Sequence, residues 1–237
     1  MTLSLRAGDG GFLRVGHRGA AALAPANTIE SLERALAAGV DLVEFDVLPR
    51  LGELVLAHSP EELAPGAPTL DDALSFLAAH APPEVGIDLD LKWYGYEEEV
   101  AGALRRHGLV ERTLVCSFFP DSLRLVKELE PRLLVGLSYP WDRRGLADRR
   151  LFAPVVPVGL AALRRSLPFR LRGMLARARA DAAMINHLVL SRAAVERCHR
   201  LGAAVFAWTI DDPAALERAL AAGVDGVISN DPRLFRR

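Results

Sequence analysis

The chain has 237 residues, of which 51% are hydrophobic and 25% charged, and its net charge is −1. This composition is typical of a globular protein, and the near-zero charge excludes a strong overall attraction to nucleic acid or to an anionic membrane surface. The N-terminal segment lacks the unbroken apolar core of a signal peptide, and no apolar run approaches the ~20 residues of a membrane span.

The two cysteines, Cys116 and Cys198, are too few for a disulfide framework. A reducing compartment is the simpler interpretation. We therefore expect a cytoplasmic protein without a stable membrane anchor, and the sequence leaves its oligomeric state open.

Short apolar runs alternate with amphipathic segments along the chain. Strands are predicted at 12–17, 41–47 with an extension at 54–58, 85–91, 113–118, 133–138, 182–186, 203–210 and 226–229. Helices are predicted at 28–38, 70–80, 96–107, 121–129, 160–180, 192–201 and 213–222. Short strands that are apolar throughout are typical of parallel sheets buried on both faces. Eight such strands alternating with helices predict one α/β domain over residues 1–237, a (β/α)₈ TIM barrel.

Capping and breaking residues refine the helix ends. Thr69 with Asp72, and Asn27 with Glu30, have the spacing of an N-cap residue answered by an acid in the first turn. Pro168 lacks a backbone donor, so we expect it to interrupt the helix at 160–180.

The decapeptide LERALAAGVD occurs twice, at 32–41 and at 216–225. Each copy has the pattern of a helix end, a glycine in the C′ position and the start of a strand. A closed ring of αβ units produces such repeats, so we predict that the two copies are structurally equivalent.

The segment 141–180 carries ten arginines against two aspartates. An arginine-coated surface helix explains this surplus, whereas the alternative is a basic rim that attracts an anionic substrate or lipid headgroup. Pro154 and Pro157 give the middle of the segment a loop-like pattern.

The second predicted strand carries two acids, Glu44 and Asp46, within an apolar run. Alternate residues of a strand share a face, so both carboxylates point the same way. Such a pair loses hydration and repels itself, and it therefore needs a cation or a proton. The extension of this strand ends at His58, and the two acids together with this titratable ring indicate a catalytic site.

Further polar side chains stand at the ends of neighbouring strands. His17 and Arg18 follow the first strand, and alternation places Asp88, Asp90 and Lys92 on one face of the third. Because active sites of TIM barrels lie at the C-terminal ends of the strands, we expect these side chains to converge on one mouth. A lone histidine or ion pair is often structural, but a cluster of this size is costly to stability and usually marks function.

These residues resemble the signature of the glycerophosphodiester phosphodiesterase family, which belongs to the phospholipase C-like phosphodiesterase TIM barrels. The resemblance is carried by Gly16-His17-Arg18-Gly19, Pro25-Ala26-Asn27-Thr28, Glu44-x-Asp46 and His58. It continues through Pro68-Thr69-Leu70, Asp90-Leu91-Lys92, Ser117-Phe118, Trp208-Thr209 and Gly223-Val224-Asp225-Gly226, and so covers essentially the whole chain. It implies metal-dependent hydrolysis of glycerophosphodiesters, small molecules of lipid metabolism, to an alcohol and sn-glycerol 3-phosphate.

The resemblance also implies roles for individual side chains. His17 and His58 resemble the paired acid and base, work that suits two histidines with a pKa near neutrality. Arg18 and Lys92 resemble phosphate-binding cations, and Trp208 resembles the aromatic wall beside the glycerol. In the family pattern the glycerol 2-hydroxyl attacks first to give a cyclic phosphate, which water then opens. The sequence leaves open which histidine is the acid.

The metal ligands implied by the resemblance are Glu44, Asp46 and Asp90. Three carboxylates suit a hard divalent cation, with Mg²⁺ or Ca²⁺ preferred. A set that includes histidine is also compatible with Zn²⁺ or Mn²⁺, although it contains no cysteine.

The sequence departs from the family pattern near the site. Ala26 stands where the family has a glutamate, and Ser59 stands where it has an aspartate. The residues at 49–52 replace its Thr-x-Asp-Gly hairpin, and the insertion after the second strand is reduced to a short loop between His58 and Pro68. These changes leave both histidines and the Glu44–Asp46 pair intact.

The third metal ligand is also altered, because Asp90 stands where the family has a glutamate. Its side chain is shorter by about 1.5 Å. We therefore expect Asp90 to reach a metal through water or through a shifted strand, with Asp88 assisting.

Two other functions are compatible with the sequence. The reduced insertion and the arginine-rich segment favour a related phosphodiesterase that acts on lysophospholipids or other phosphodiesters. Ala26 and Asp90 favour a non-catalytic barrel that binds glycerophosphodiesters or a partner.

Overall fold

A computed structural model describes residues 2–141 and 156–236. Nine strands form one continuous sheet within these residues. They are β1 (Leu13–Gly16), β2 (Leu42–Arg50), β3 (Glu53–Leu56), β4 (Gly86–Leu91), β5 (Thr113–Ser117), β6 (Leu134–Tyr139), β7 (Ala182–Asn186), β8 (Ala204–Trp208) and β9 (Gly226–Ser229).

Eight of these strands are parallel and close into a barrel. β1 pairs with β2 on one side and with β9 on the other, which completes the ring β1-β2-β4-β5-β6-β7-β8-β9. The predicted extension of the second strand is a separate strand, β3, which runs antiparallel to the end of β2. Leu51 and Gly52 turn the chain with positive φ values of 50° and 87°, as tight hairpins require. The TIM barrel is therefore confirmed, and this hairpin and a short loop form its reduced insertion.

Seven α-helices accompany the barrel within the described residues. They are α1 (Ile29–Ala38), α2 (Leu70–His80), α3 (Glu97–Arg106), α4 (Pro120–Leu129), α5 (Val156–Ala178), α6 (Arg192–Arg200) and α7 (Pro213–Ala222). Their apolar faces share one large core with the strands, which includes Leu74 and Leu104. A second core, which includes Leu114, Met184 and Phe206, fills the barrel. None of the described helices combines the length and apolarity needed to cross a bilayer.

The expected interruption at Pro168 is wrong, because α5 continues through it. The helix buries leucines on both sides of the proline, namely Leu167 before it and Leu171 and Leu175 after it. Full burial of each leucine contributes about 1.5–3 kcal/mol, and together they outweigh the cost of about 3 kcal/mol for an internal proline. Pro157 lies in the first turn of α5, where its missing donor is tolerated.

The arginine-rich segment lies partly outside the described residues, which omit 142–155 and with them Pro154. The arginines that are described are all exposed, on α5 or directly after it: Arg164, Arg165, Arg170, Arg172, Arg177 and Arg179. The exposure of these six residues is compatible with an arginine-coated surface helix, and the alternative, a basic rim, stays a prediction.

One predicted helix cap is confirmed and the other is wrong. Thr69 and Asp72 form a reciprocal capping box at the start of α2. At α1 the cap is Thr28, which accepts a hydrogen bond from the backbone of Ser31. Asn27 is buried with a positive φ of 58°, because its amide is used inside the barrel.

The two copies of the repeated decapeptide are structurally equivalent, as predicted. Each helix ends at a left-handed glycine, Gly39 or Gly223. Each copy then places an aspartate directly before a strand. Asp41 accepts a hydrogen bond from the Arg14 backbone N–H at 2.8 Å, and Asp225 accepts one from that of Val205 at 2.7 Å.

Gly226 is required by the close approach of β8. A Cβ at this position would overlap the buried Phe206 ring. We expect Gly226→Ala to lower the free energy of unfolding by about 1–3 kcal/mol, measured by urea denaturation followed by circular dichroism. Gly102→Ala on α3 is the control. It has room for a methyl group and should raise the free energy of unfolding by about 0.5–1 kcal/mol. Equal urea midpoints for Gly226→Ala and wild type would contradict the steric argument.

Candidate active site

A cavity of about 130 Å³ lies at the C-terminal ends of the barrel strands. The predicted site residues that line it are His17, Arg18, Glu44, His58, Asp90, Lys92 and Trp208. Asp46 is fully buried and contacts both Arg18 and Lys92. The structure thus brings all the predicted site residues together, while their roles remain predictions.

The register of β2 against β4 places the acids side by side. Glu44 lies opposite Asp88, and Asp46 lies opposite Asp90. Carboxylate oxygens of Glu44, Asp46 and Asp90 all lie within 4.8 Å of one another. The pairing of the two strands is continuous through this stretch, so the strand that carries Asp90 is not shifted. Of the two routes expected for Asp90 to reach a metal, contact through water stays a prediction.

Burial dominates the electrostatics of these acids. Desolvation raises the pKa of Glu44 well above its usual value, and the neighbouring Asp46 raises it further. Desolvation also raises the pKa of Asp90, and it raises that of Asp88 to about 7. Burial alone would raise the pKa of Asp46 as well, but the charges of Lys92 and Arg18 outweigh it and lower that pKa. The cluster therefore favours the addition of positive charge.

Two cations partly compensate the acids. The Lys92 Nζ lies 2.6 Å from an oxygen of Asp46 and 2.6 Å from an oxygen of Asp90. Burial opposes the charge on Lys92, but these carboxylates prevail and raise its pKa. The Arg18 Nε lies 3.2 Å from Asp46, and a terminal nitrogen of Arg18 lies 2.9 Å from Glu62. The backbone N–H of Arg18 also donates to Glu44, at 2.6 Å.

The donor set fits a hard divalent cation. The three clustered acids offer oxygen ligands of the kind that Mg²⁺ and Ca²⁺ prefer. Among the described residues, Oδ1 of Asp90 and Oδ1 of Asp88 are buried without a hydrogen-bond partner, and orphaned buried acceptors are costly. Cys116 lines the same cavity, but burial raises the pKa of its thiol, which disfavours the thiolate that soft metals need.

Asn27 orients Asp46 from the loop before α1. Its side-chain N–H donates to the Asp46 carboxylate at 2.8 Å, and its side-chain oxygen accepts from the Asp46 backbone at 3.0 Å. Both groups of the amide are thus satisfied by one residue. Ala26, the departure from the family pattern beside it, is exposed.

His17 is oriented by hydrogen bonds that involve Asn230, directly after β9, and Asp211. Its Nδ1 lies 2.7 Å from the side-chain oxygen of Asn230. The Asn230 side-chain N–H donates to Asp211 at 2.7 Å, which fixes the orientation of the amide. The oxygen therefore faces His17, so Nδ1 carries the proton and the lone pair of the neutral ring is on Nε2. That Nε2 lies 3.9 Å from Glu44, and burial lowers the pKa of His17.

His58 has a charged partner instead. Its Nδ1 lies 3.2 Å from the carboxylate of Glu62. Glu62 ends a short 3₁₀ turn, Pro60–Glu62, which is capped by the hydroxyl of Ser59. Ser59, another departure from the family pattern, thus helps to place Glu62. Burial and then the nearby Lys92 charge lower the pKa of His58.

Aromatic rings form an arc at the C-terminal end of the barrel, and two of them, Phe118 and Trp208, line the cavity. They lie at or directly after the ends of β4, β5, β6 and β8, and all three tryptophans of the chain are among them: Trp93, Tyr94, Phe118, Phe119, Trp141 and Trp208. Neighbouring centroids along this arc are 4.9–6.5 Å apart. The indole N–H of Trp208 is buried and has no acceptor among the described residues.

Sequence reasoning missed Asn27, Glu62 and Asn230 as site residues. Asn27 stands inside the motif that carries the family resemblance, and Glu62 follows His58 by four residues. The sequence therefore indicates both positions, but it does not indicate that Asn27 contacts Asp46 or that Glu62 contacts His58. Asn230 is separated from His17 by 213 residues, and no local pattern indicates this contact.

Comparison with known proteins identifies the family of the chain. The model of the glycerophosphoryl diester phosphodiesterase family matches residues 17–64 and 48–234. A glycerophosphodiester phosphodiesterase of Caldanaerobacter subterraneus is 27% identical, over 93% of this chain and 94% of the relative. One from Bacillus subtilis is 22% identical, over 95% of this chain and 86% of the relative.

Solved structures show the same fold. A glycerophosphodiester phosphodiesterase from Parabacteroides distasonis has a TM-score of 0.72 at 21% identity and covers 95% of each chain. An Oleispira antarctica phosphodiesterase in complex with the product sn-glycerol-3-phosphate has a TM-score of 0.71 at 21% identity, over 94% of this chain and 95% of that one. The family match spans nearly the whole barrel, and the chain belongs to the glycerophosphoryl diester phosphodiesterase family of phosphoric diester hydrolases.

Proposed function

We propose that the protein hydrolyses glycerophosphodiesters to an alcohol and sn-glycerol 3-phosphate, with a divalent cation as cofactor and Mg²⁺ or Ca²⁺ preferred. The observation that carries the proposal is the convergence of three carboxylates, two histidines and two cations at one cavity, in a chain of this family. The product bound to the Oleispira antarctica phosphodiesterase is consistent with it.

In this proposal the cation is held by Glu44, Asp46 and Asp90, whose oxygens lie within 4.8 Å of one another. A divalent ion there supplies positive charge that neutralises the phosphate and the charge developing on it. Asp88 adds a further buried acid beside Glu44, which increases the demand for positive charge.

Substrate binding uses N–H groups and charges that lie at the cavity. Arg18 lines the cavity, and its Nε lies 3.2 Å from Asp46 without making a hydrogen bond to a described residue, so we assign this N–H to a phosphate oxygen. Lys92 adds a point charge at the same place. The unpaired indole N–H of Trp208 is available to a glycerol hydroxyl, and its ring forms the wall beside the glycerol.

His17 is the base in this mechanism. Asn230 holds its proton on Nδ1, and the lone pair on Nε2 is free to accept the proton of the glycerol 2-hydroxyl. A lowered pKa keeps the ring neutral and able to accept. The glycerol oxygen then forms a bond to phosphorus, as the family pattern implies.

His58 is the acid. The Glu62 carboxylate 3.2 Å away supports the protonated ring, while burial and Lys92 lower its pKa and make the imidazolium a stronger donor. It protonates the departing alcohol as the bond between phosphorus and that oxygen breaks. Reversal of the two roles lets water open the cyclic phosphate and returns both histidines to their initial states.

Hydrolysis of lysophospholipids is the second candidate. The observation that favours it is the short loop between His58 and Pro68, which is part of the reduced insertion. A substrate with an acyl chain on the glycerol needs such an open approach.

The proposed activity predicts release of sn-glycerol 3-phosphate from glycerophosphoethanolamine in the presence of Mg²⁺ or Ca²⁺. An excess of chelator should abolish it, and His17→Ala should lower the rate by about 10²–10⁴-fold, because the base is lost. His80→Ala, at the exposed end of α2, should retain full activity. Equal rates for wild type and His17→Ala would refute the catalytic assignment.

The assignment of Asp90 as a ligand predicts weaker cation binding in Asp90→Asn, which removes a charge at constant size. Calorimetric titration with Mg²⁺ and Ca²⁺ should show an affinity at least about ten-fold below that of wild type. Glu53→Gln makes the same change at an exposed position on β3 and should have no effect. An unchanged affinity in Asp90→Asn would exclude Asp90 from the metal site.

The role of Asn230 as a positioning residue predicts a change in the tautomer of His17. In Asn230→Ala, nitrogen-15 NMR should show a smaller Nδ1–H population, and kcat should fall by about 10–100-fold with little change in KM. Asn186→Ala is the control, because Asn186 bonds to the backbone of Leu188. The same tautomer in Asn230→Ala and wild type would show that Asn230 does not hold the ring.

A further inference from the structure

A second cavity, of about 390 Å³, opens beside the catalytic cavity. The two share His58 and Lys92. We call the second cavity the side pocket, and its remaining walls are Leu48, Pro49, Ser59, Pro60 and Trp93. It is built from the β2–β3 hairpin, the turn after β3 and the loop after β4.

We propose that the side pocket binds the quaternary ammonium group of a departing choline-type alcohol and so gives the enzyme a preference for such diesters. The assignment rests on the proposed function, in which His58 protonates the oxygen of the departing alcohol. The substituent on that oxygen must extend past His58, and the side pocket begins at that residue.

Trp93 is fixed in the wall of the side pocket although its side chain is largely exposed. Its relative exposure is 54%. Its backbone N–H donates to the hydroxyl of Tyr96 at 3.1 Å, and that hydroxyl donates to the carbonyl of Val47 at 2.7 Å. Its ring stacks on Tyr94 with centroids 5.5 Å apart and planes 16° apart. An exposed indole held this firmly is suited to binding, because it loses little conformational freedom when a ligand arrives.

The chemistry of the walls selects among the possible alcohols. Among the described residues no carboxylate lines the side pocket, so a primary ammonium would lose its hydration without an acceptor there. Alcohols with several hydroxyls would face Leu48 and two prolines, which offer no side-chain hydrogen bonds, and the hydroxyl of Ser59 already accepts from the backbone of Glu62. A trimethylammonium group needs no hydrogen bond, and it gains from both apolar contact and the face of an indole. Two cationic groups line the side pocket, and both have acidic partners: Lys92 lies 2.6 Å from Asp46 and Asp90, and His58 lies 3.2 Å from Glu62.

The test compares kcat/KM for glycerophosphocholine and glycerophosphoglycerol, with the divalent cation present. Wild type should prefer the choline diester. Trp93→Ala should lower kcat/KM for this substrate about ten-fold, mainly through KM, and leave that for glycerophosphoglycerol unchanged. Trp93→Phe should recover part of the loss. Phe169→Ala removes a ring that is 85% exposed on α5 and should change neither substrate.

Two further substrates identify the group that is recognised. The neutral 3,3-dimethylbutyl diester should be hydrolysed less efficiently than the choline diester, and equal efficiency would overturn recognition of the cation. Lysophosphatidylcholine shares the departing choline, so a loss in Trp93→Ala common to it and glycerophosphocholine supports the assignment. A loss confined to the acylated substrate would assign the side pocket to the acyl chain and overturn it.

The failure of this inference is distinct from the failure of the proposed function. If wild type hydrolyses glycerophosphoglycerol but Trp93→Ala lowers kcat/KM equally for both diesters, the side-pocket assignment is wrong and the activity stands. If wild type releases no sn-glycerol 3-phosphate from any of the diesters, the proposed function is wrong, and the side-pocket assignment falls with it.

Discussion

The Lys92 ammonium lies 2.6 Å from carboxylate oxygens on two neighbouring strands, those of Asp46 and Asp90. Parallel pairing of β2 and β4 necessarily places acids at matching positions next to each other, in a barrel interior that is otherwise apolar. An ion pair with one lysine reduces the repulsion between them, at the price of burying that charge too. This ion pair does not neutralise the remaining buried acids, so the cluster is suited to bind a further cation.

The side chains around this ion pair are oriented by residues from other loops. Asn27 precedes α1, Glu62 follows β3, and Asn230 follows β9. Each binds one functional group and fixes its direction: the carboxylate of Asp46, the ring of His58 and the ring of His17. The barrel therefore provides the positions of these groups, and the loop residues provide their orientation. The tautomer of His17 is set by the amide of Asn230 rather than by a charged partner.

The parts predictable from sequence were those governed by local periodicity. Alternation placed Glu44 and Asp46 on one face, and the strand count gave the ring in which Asp90 becomes a neighbour of Asp46. The errors arose where tertiary contacts overrode local preference. Asn27 has the residue type of a helix cap, but its amide satisfies Asp46, and Thr28 caps α1 instead. Pro168 has the character of a helix breaker, but buried leucines on both sides hold α5 together.

The aspartate that closes each copy of the repeated decapeptide belongs to a wider arrangement at the opposite end of the barrel. Asp41, Asp181 and Asp225 stand directly before β2, β7 and β9, and each accepts a backbone hydrogen bond from the preceding strand of the ring. Directly before β5 the side chain is a donor instead of an acceptor: Arg112 donates to the carbonyl of Val85, which lies directly before β4. Side-chain contacts thus join the eight parallel strands at their N-terminal ends as four pairs, and the backbone carbonyls of the same three aspartates link the pairs that contain them to the next strand. These contacts stabilise the barrel at the end far from the cavity, without any residue of the loops that carry the site.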